Sequence, residues 1–389
     1  MSNVEKITQL IQELRNQDID TLLILCREDS DKVLPLLLPV HVVAQTAFFF
    51  NKTGRPIVLT GSTDANMYKD FGIFEIVEVK EDFETDFLRL FNRINPKKLA
   101  LNISELDYLA DGLTVGQYML LEKIIGPKRL AGCETSSEQI VRNLRSIKSE
   151  YEVQCIRHAV EVTCTIYEEV APRISLGMSE TQIGDLFVEG MKRHQVVNAF
   201  GEPYSYPLVC INRCGLAHRE PNPENILGPG DILICDFSVS YKGYCSDIAR
   251  SFYALAEGEK EAPKEVLNAF KTTVDAVSAV IDALKPGMMG YEADQIGRSI
   301  IENAGYPTIR HSTGHQLGMR VHDGGTSLSP QSNPNSHHPI QMGEVYAIEP
   351  TVIQDDGAPS FIVEEDVVVT EHTVHILSRR QRELWYIAR

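Results

Sequence analysis

The sequence predicts two domains of different make: a small α/β domain over residues 1–135 and a larger α+β domain over 136–389. Three observations carry this. The chain has 389 residues, enough for two or three domains at ~150 residues each. Up to about residue 130, apolar strand-like runs alternate with helical stretches. From 204 to 370 short strands and hairpin turns dominate, interrupted by one pair of helices, which is an antiparallel α+β pattern.

Taken in order, the elements follow from local chemistry. Val4, Ile7, Ile11 and Leu14 fall on one stripe of an opening helix. Apolar runs at 21–25, 47–50, 56–60, 75–79 and 99–102 read as strands, the second and third joined by a turn at Lys52-Thr53-Gly54-Arg55. A helix around 86–94 stops at Asn95-Pro96. Thr135, Ser136 and Ser137 are N-cap candidates for a long helical stretch to about 173, with a break near Ser149. Ser179-Glu180-Thr181 opens another helix to about His194, and 263–284 and 291–303 form the later helix pair.

Composition narrows the function. Apolar residues make up 43% and charged residues 23%, so neither a disordered nor a fibrous chain fits. With 37 Lys plus Arg against 54 Asp plus Glu, the net charge of −17 argues against a nucleic-acid backbone binder. No run reaches the ~18 apolar residues of a membrane span, and the N-terminus lacks the apolar core of a signal peptide. The eight cysteines, at 26, 133, 155, 164, 210, 214, 235 and 245, form no CxxC pair. They argue against structural zinc and for buried thiols in a reducing compartment, the cytoplasm.

Two hairpins carry the chemistry. Ile232-Leu233-Ile234-Cys235-Asp236-Phe237 is an apolar strand interrupted by an acid, and Tyr244-Cys245-Ser246-Asp247-Ile248 returns from the turn. Centring the turn on Tyr241-Lys242 sets Asp236 opposite Asp247. In the second hairpin, a turn on Asp356-Gly357 sets Glu349 opposite Glu364; Pro350 and Pro359 leave that register open by one residue. Like charges facing each other are destabilising. Two divalent ions would offset four carboxylates, and oxygen ligands with one imidazole suit Mn²⁺, Co²⁺ or Zn²⁺, with Fe²⁺ a further candidate. The imidazole candidates cluster in His311-Ser312-Thr313-Gly314-His315-Gln316-Leu317-Gly318 through Val321-His322-Asp323. Glycines at 314 and 318 let backbone approach closely. His218 lies on a loop before the first acidic hairpin.

In the order Asp, Asp, His, Glu, Glu, these residues resemble those of the pita-bread metallopeptidases: prolidase, aminopeptidase P, methionine aminopeptidase and the metal-free relative creatinase. Asp236-Phe237-Ser238 with Tyr244–Arg250 looks like the family's first metal hairpin. Gly314-His315-Gln316-Leu317-Gly318 looks like its histidine loop, and Ile348-Glu349-Pro350 with Glu364–Thr370 like its glutamate strands. Asn143–Ser149 is similar to the segment entering the catalytic domain of prolidases, and the first 130 residues to a creatinase-type N-terminal domain. The resemblance implies a pita-bread catalytic domain in which Asp236 chelates one ion and His315 with Glu349 the other. Asp247 and Glu364 would bridge both, with a metal-bridging hydroxide as nucleophile. It further implies that His218 and His322 act near the scissile bond and that His311 lines the pocket. The expected reaction is cleavage of the bond before proline in short peptides, by a homodimer.

Three positions depart from the family pattern: Ile362 stands where an arginine is usual, and Ser238 and Thr351 where glycine is common. Ile362 keeps open a second expectation, hydrolysis of a small non-peptide C–N bond as in creatinase or ectoine hydrolase. A third, a binding protein on an inactive domain of this kind, is disfavoured because every ligand position is filled.

Overall fold

A computed structural model describes residues 2–214, 219–354 and 359–388. It divides into two compact units, Met1–Arg145 and Ser146–Arg389. The division falls some ten residues beyond the boundary expected near 135, because the helix Glu138–Ser146 is held by the first unit. Lys6 Nζ donates to the Leu144 carbonyl at 2.7 Å, and Asn143 Nδ2 to Glu13 Oε2 at 2.7 Å.

The first unit is a mixed sheet of β1 (Thr21–Cys26), β2 (Thr46–Asn51), β3 (Ile57–Thr60), β4 (Glu75–Glu78), β5 (Leu99–Leu101) and β6 (Glu134–Ser136), in the order β4-β3-β2-β1-β5-β6. Every residue of β1 is buried, which is why its run is apolar on both faces. The helix Phe83–Ile94 corresponds to the one expected around 86–94. It ends at Asn95 in a left-handed conformation, φ 47°, just before Pro96. The helix Val115–Ile125 was not among the expected elements; Gly116 and its β-branched residues weaken the local helical signal.

In the second unit, the break expected near Ser149 is a capping box. Ser149 Oγ accepts from the Glu152 N–H while Glu152 Oε2 accepts from that of Ser149, starting the helix Glu150–Val170. Ser179 and Gln182 repeat the device at Glu180–His194. The strands are β7 (Val197–Asn198), β8 (Leu208–Ile211), β9 (Ile232–Phe237), β10 (Val239–Tyr241), β11 (Tyr244–Cys245), β12 (Ile248–Ala254), β13 (Gly314–Gln316), β14 (Val345–Ile348), β15 (Glu365–Val369), β16 (Val374–Ile376) and β17 (Trp385–Ile387). They form sheets ordered β17-β12-β9-β8, β13-β14-β15-β16 and β11-β10-β7. All pairings here are antiparallel except β12 with β17, as the hairpin-rich sequence leads one to expect. The buried Tyr167 hydroxyl lies 2.8 and 2.9 Å from the carbonyls of Cys235 and Ile248, fixing the Glu150–Val170 helix against β9 and β12.

The first hairpin corrects the expected register by two residues. Asp236 faces Ala249 and Tyr241 faces Tyr244, so the turn is Lys242-Gly243 rather than Tyr241-Lys242. Lys242 and Gly243 have φ of 51° and 82°, the pair of positive values that a type I′ turn demands and that favours glycine. A slip of two keeps the alternation, so Asp236 and Asp247 still share one face. The second hairpin has the expected register: Ile348 faces Glu365 and Val352 faces Phe361. Its turn at Asp356-Gly357 lies outside the described residues. Among the described residues no helix is long and apolar enough to cross a membrane, and Cys26, Cys133, Cys155, Cys164, Cys210, Cys235 and Cys245 are free thiols.

Candidate metal centre

The five candidate donors come from the two hairpins and the histidine strand. Asp236 is on β9, Asp247 just precedes β12, His315 is central in β13, Glu349 follows β14 and Glu364 precedes β15. One ligand atom each of Asp247, His315 and Glu364 lies within 4.8 Å of the others. His315 Nε2 stands 3.4 Å from Asp247 Oδ2 and 3.7 Å from Glu349 Oε1, both longer than a good hydrogen bond. Its Nδ1 faces the Gln316 carbonyl at 3.3 Å. A carbonyl only accepts, so the proton sits on Nδ1 and the Nε2 lone pair points at the carboxylates.

Close backbone approach makes this possible. A Cβ on Gly314 would stand 2.4 Å from the Ala347 carbonyl, and one on Gly318 2.1 Å from Asp323 Oδ2. Both positions expected to need glycine do. Behind β13, buried Lys148 Nζ donates to Gln316 Oε1 at 3.2 Å and lies 3.9 Å from Asp323 Oδ2. From the other side, the helix Gly290–Asn303 holds the histidine segment. Asp294 Oδ1 accepts from the Thr313 hydroxyl at 2.8 Å, and Arg298 Nη2 donates to the His311 carbonyl at 3.1 Å.

The remaining candidates separate. His322 is exposed, its ring centroid 4.3 Å from that of His315. His311 Nδ1 is 2.7 Å from the Ser312 carbonyl and Nε2 2.8 Å from Thr351 Oγ1, so in the neutral ring Nδ1 donates and Nε2 accepts the hydroxyl proton. Its Nδ1 is also 4.0 Å from Glu349 Oε1. His218 lies outside the described residues. Two positions noted as departures point hydroxyls into the site: besides Thr351, Ser238 Oγ donates to Asp247 Oδ1 at 2.7 Å. The third, Ile362, packs beside the apolar cluster of Val352, Phe361 and Val363. Asp366, whose Oδ2 accepts from the Asp247 N–H at 2.9 Å, escaped the sequence reading; the only signal was an acid beside Val367-Val368-Val369.

Electrostatics makes these acids costly to ionise together. Burial raises the Asp236 carboxyl to about 7; burial, then the Asp236 charge, raise Glu349 to about 8. Asp247 and Glu364 go well above the usual carboxylate range, through burial first and neighbouring acids second. Burial, with His322 next in weight, lowers His315 to about 3. Asp236 Oδ1 is buried without a hydrogen-bond partner among the described residues. Buried oxygens of which one is orphaned, with a neutral imidazole lone pair aimed at them, fit hard divalent cations.

This donor set fits a hydrolytic metalloenzyme. The model of metallopeptidase family M24 matches residues 154–371, more than half of the chain, and the protein belongs to that family. It is similar to the uncharacterized peptidase YqhT of Bacillus subtilis, 29% identical over 290 residues, 73% of this chain and 76% of the relative. The similarity to a putative Xaa-Pro aminopeptidase of Mycoplasma genitalium is 31% over 184 residues, 47% of this chain and 50% of that one. Among solved structures, an Xaa-Pro dipeptidase from Bacillus anthracis superposes with TM-score 0.77 at 22% identity, covering 99% of this chain and 100% of its own. An X-Pro aminopeptidase from Thermotoga maritima gives 0.73 at 23%, covering 98% and 99%. The fold is the pita-bread fold, and the protein is a metallopeptidase.

A pH experiment reads the crowding of acids. Because the folded-state carboxyl values are raised, their contribution to stability is present below the unfolded value near 4 and lost as pH rises through about 7 for Asp236 and about 8 for Glu349. His315 has the opposite sign: its contribution is present above 6.5 and lost as pH falls through about 3. Of these three groups, the two carboxyls act between pH 6.5 and 8 and His315 does not. The metal-free protein is expected to lose on the order of 1 kcal/mol of unfolding free energy per pH unit there, and Mn²⁺-loaded protein much less. Urea unfolding in EDTA and in Mn²⁺ across that range measures both slopes; equal slopes contradict the expectation.

Proposed function

We propose that this metallopeptidase is an exopeptidase of the prolidase or Xaa-Pro aminopeptidase type, cleaving the bond before proline in short peptides. In this reading two divalent ions are held by Asp236, Asp247, His315, Glu349 and Glu364, Mn²⁺ or Co²⁺ before Zn²⁺ or Fe²⁺. The observation that carries it is the gap between His315 Nε2 and the oxygens of Asp247 and Glu349, 3.4 and 3.7 Å, in a set of buried and half-buried acids with which no Lys or Arg among the described residues forms an ion pair. The names of the Mycoplasma genitalium relative and of the two solved structures support the Xaa-Pro preference.

Bound there, the ions would supply an activated water and polarise the scissile carbonyl. The chain's own residues do the rest. His322, exposed beside His315, binds the carbonyl or developing oxyanion and carries the proton towards the leaving amine, with His218 as its partner in that task. His311, held through Nδ1 to the Ser312 carbonyl and Nε2 to Thr351, lines the pocket without turning away from Glu349. The free thiols support a cytoplasmic location, and the resemblance supports a homodimer, which sedimentation velocity checks.

A second reading, a hydrolase of small non-peptide C–N bonds, is favoured by Ile362, which brings no positive charge to fix a substrate carboxylate. The deciding experiment is kcat/KM on Mn²⁺-loaded protein for a free Xaa-Pro dipeptide, its C-terminal amide, a longer Xaa-Pro peptide and creatine-like amides. The proposal expects turnover of the Xaa-Pro substrates. Without a cation at 362, a charge-assisted pair worth ~1.5–3 kcal/mol is missing, so the amide and the longer peptide should do at least as well as the free dipeptide. Turnover confined to the non-peptide amides overturns the proposal.

Ligand and proton carrier separate in a second prediction. Asp247→Asn and Glu364→Gln are expected to lose metal and activity together. His322→Ala should keep its metal and lose ~10²-fold or more in kcat. Metal analysis beside kinetics tests this, and His322→Ala stripped of metal as fully as Asp247→Asn would show the roles to be misassigned.

A further inference from the structure

Two sheets of the second unit meet along a seam that runs past Asp247. The segment 247–251 lies beside 362–366 in the opposite direction. At one end the Ser251 hydroxyl donates to the Ile362 carbonyl at 2.7 Å. In the middle the Glu364 N–H donates to the Ala249 carbonyl at 3.2 Å, and Arg250 Nη1 donates to the Glu364 carbonyl at 2.8 Å. The next rung of such a ladder pairs Asp247 with Asp366. There the Asp247 N–H meets Asp366 Oδ2, at 2.9 Å. A side chain stands in where an antiparallel ladder would use a backbone carbonyl.

We propose that Asp366 is a positioning residue for Asp247: its carboxyl completes the seam and thereby fixes the backbone of the candidate ligand that spans both ions. Asp366 is fully buried, 0% exposed, in a strand of valines. Its hydrogen bond through Oδ2 goes to Asp247, and Oδ1 has no partner among the described residues. An acid in an apolar strand is costly, and structural support alone would be met by the apolar residue its neighbours use. The cross-strand row explains the reach. Asp366 faces Ala347, which faces His315, so a small residue separates it from the imidazole on the shared face. With Ser238 Oγ on Asp247 Oδ1 and Asp366 on its N–H, Asp247 is held at both ends. Oδ2 is left facing His315 at 3.4 Å. The role rests on the metal reading proposed above.

Calorimetric titration of EDTA-stripped protein with Mn²⁺ alone tests it, beside thermal melting without metal. The wild type is expected to bind two ions; binding none defeats the metal reading and this role with it. Asp366→Ala and Asp366→Leu, the latter close in shape but without an acceptor, should bind the weaker ion ~10- to 100-fold less tightly, while Asp366→Asn, which keeps an oxygen for the Asp247 N–H, stays within about 3-fold of wild type. Ser251→Ala removes a seam bond away from the ligand and should lower Tm without changing affinity, which separates seam stability from ligand placement. The proposal is overturned if wild type binds two ions and Asp366→Leu binds them equally well. It is also overturned if Asp366→Asn, folded with unchanged Tm, loses as much affinity as Asp366→Leu.

Discussion

Carboxyl groups crowded out of water repel one another once ionised, and the architecture around Asp236, Asp247, Glu349 and Glu364 is built to hold such a crowd in place. Burial leads the causes that raise each of them, and neighbouring acids add to it for Asp247, Glu349 and Glu364. Among the described residues no Lys or Arg forms an ion pair with these four carboxyl groups. The buried Arg250 pairs with Glu365 at 3.1 Å and reaches Glu364 only at its carbonyl. It fastens the strand rather than pairing with a candidate ligand carboxylate. In the proposed reading, metal ions in place of a protein cation would turn repulsion into coordination, and the cost of burying acids would become metal affinity.

Holding the crowd requires several elements that do not touch it. The Glu150–Val170 helix fixes β9 and β12 through Tyr167. The Gly290–Asn303 helix fixes the histidine segment through Asp294 and Arg298. Lys148 and Gln316 support β13 from behind. Hydrogen-bonded backing of this kind orients first ligands and is as much part of a metal site as the ligands themselves. The catalytic histidine candidate His322 lies instead on the exposed side, where substrate can reach it.

Much of this was legible in the sequence, for a physical reason. An acid that interrupts an apolar strand is expensive unless used, so Asp236, Asp247, Glu349 and Glu364 stood out against Ile234, Phe237, Ile348 and Val367. Alternation survives an error of two residues, which is why a misplaced turn at Tyr241-Lys242 still delivered both aspartates to one face. What determines the turn is backbone conformation at Lys242 and Gly243, a signal the Lys-Gly pair carries weakly beside Asn-Gly or Asp-Gly. Asp366 escaped because its partner is a backbone N–H over a hundred residues away, a contact that no local pattern encodes. The boundary near 135 rests on a change of pattern and on the N-cap candidates Thr135, Ser136 and Ser137, whereas the Glu138–Ser146 helix takes its side through Lys6 and Glu13, far off in sequence.

The central claim is that five side chains gather two ions, and anomalous scattering tests it most directly. Crystals of EDTA-stripped protein soaked in Mn²⁺, measured at the manganese edge, should show two peaks. One would lie against Asp236 and the other against His315 and Glu349, with Asp247 and Glu364 between them. No peak in that space, or a lone peak that excludes Asp247 or Glu364 from coordination, would contradict the account.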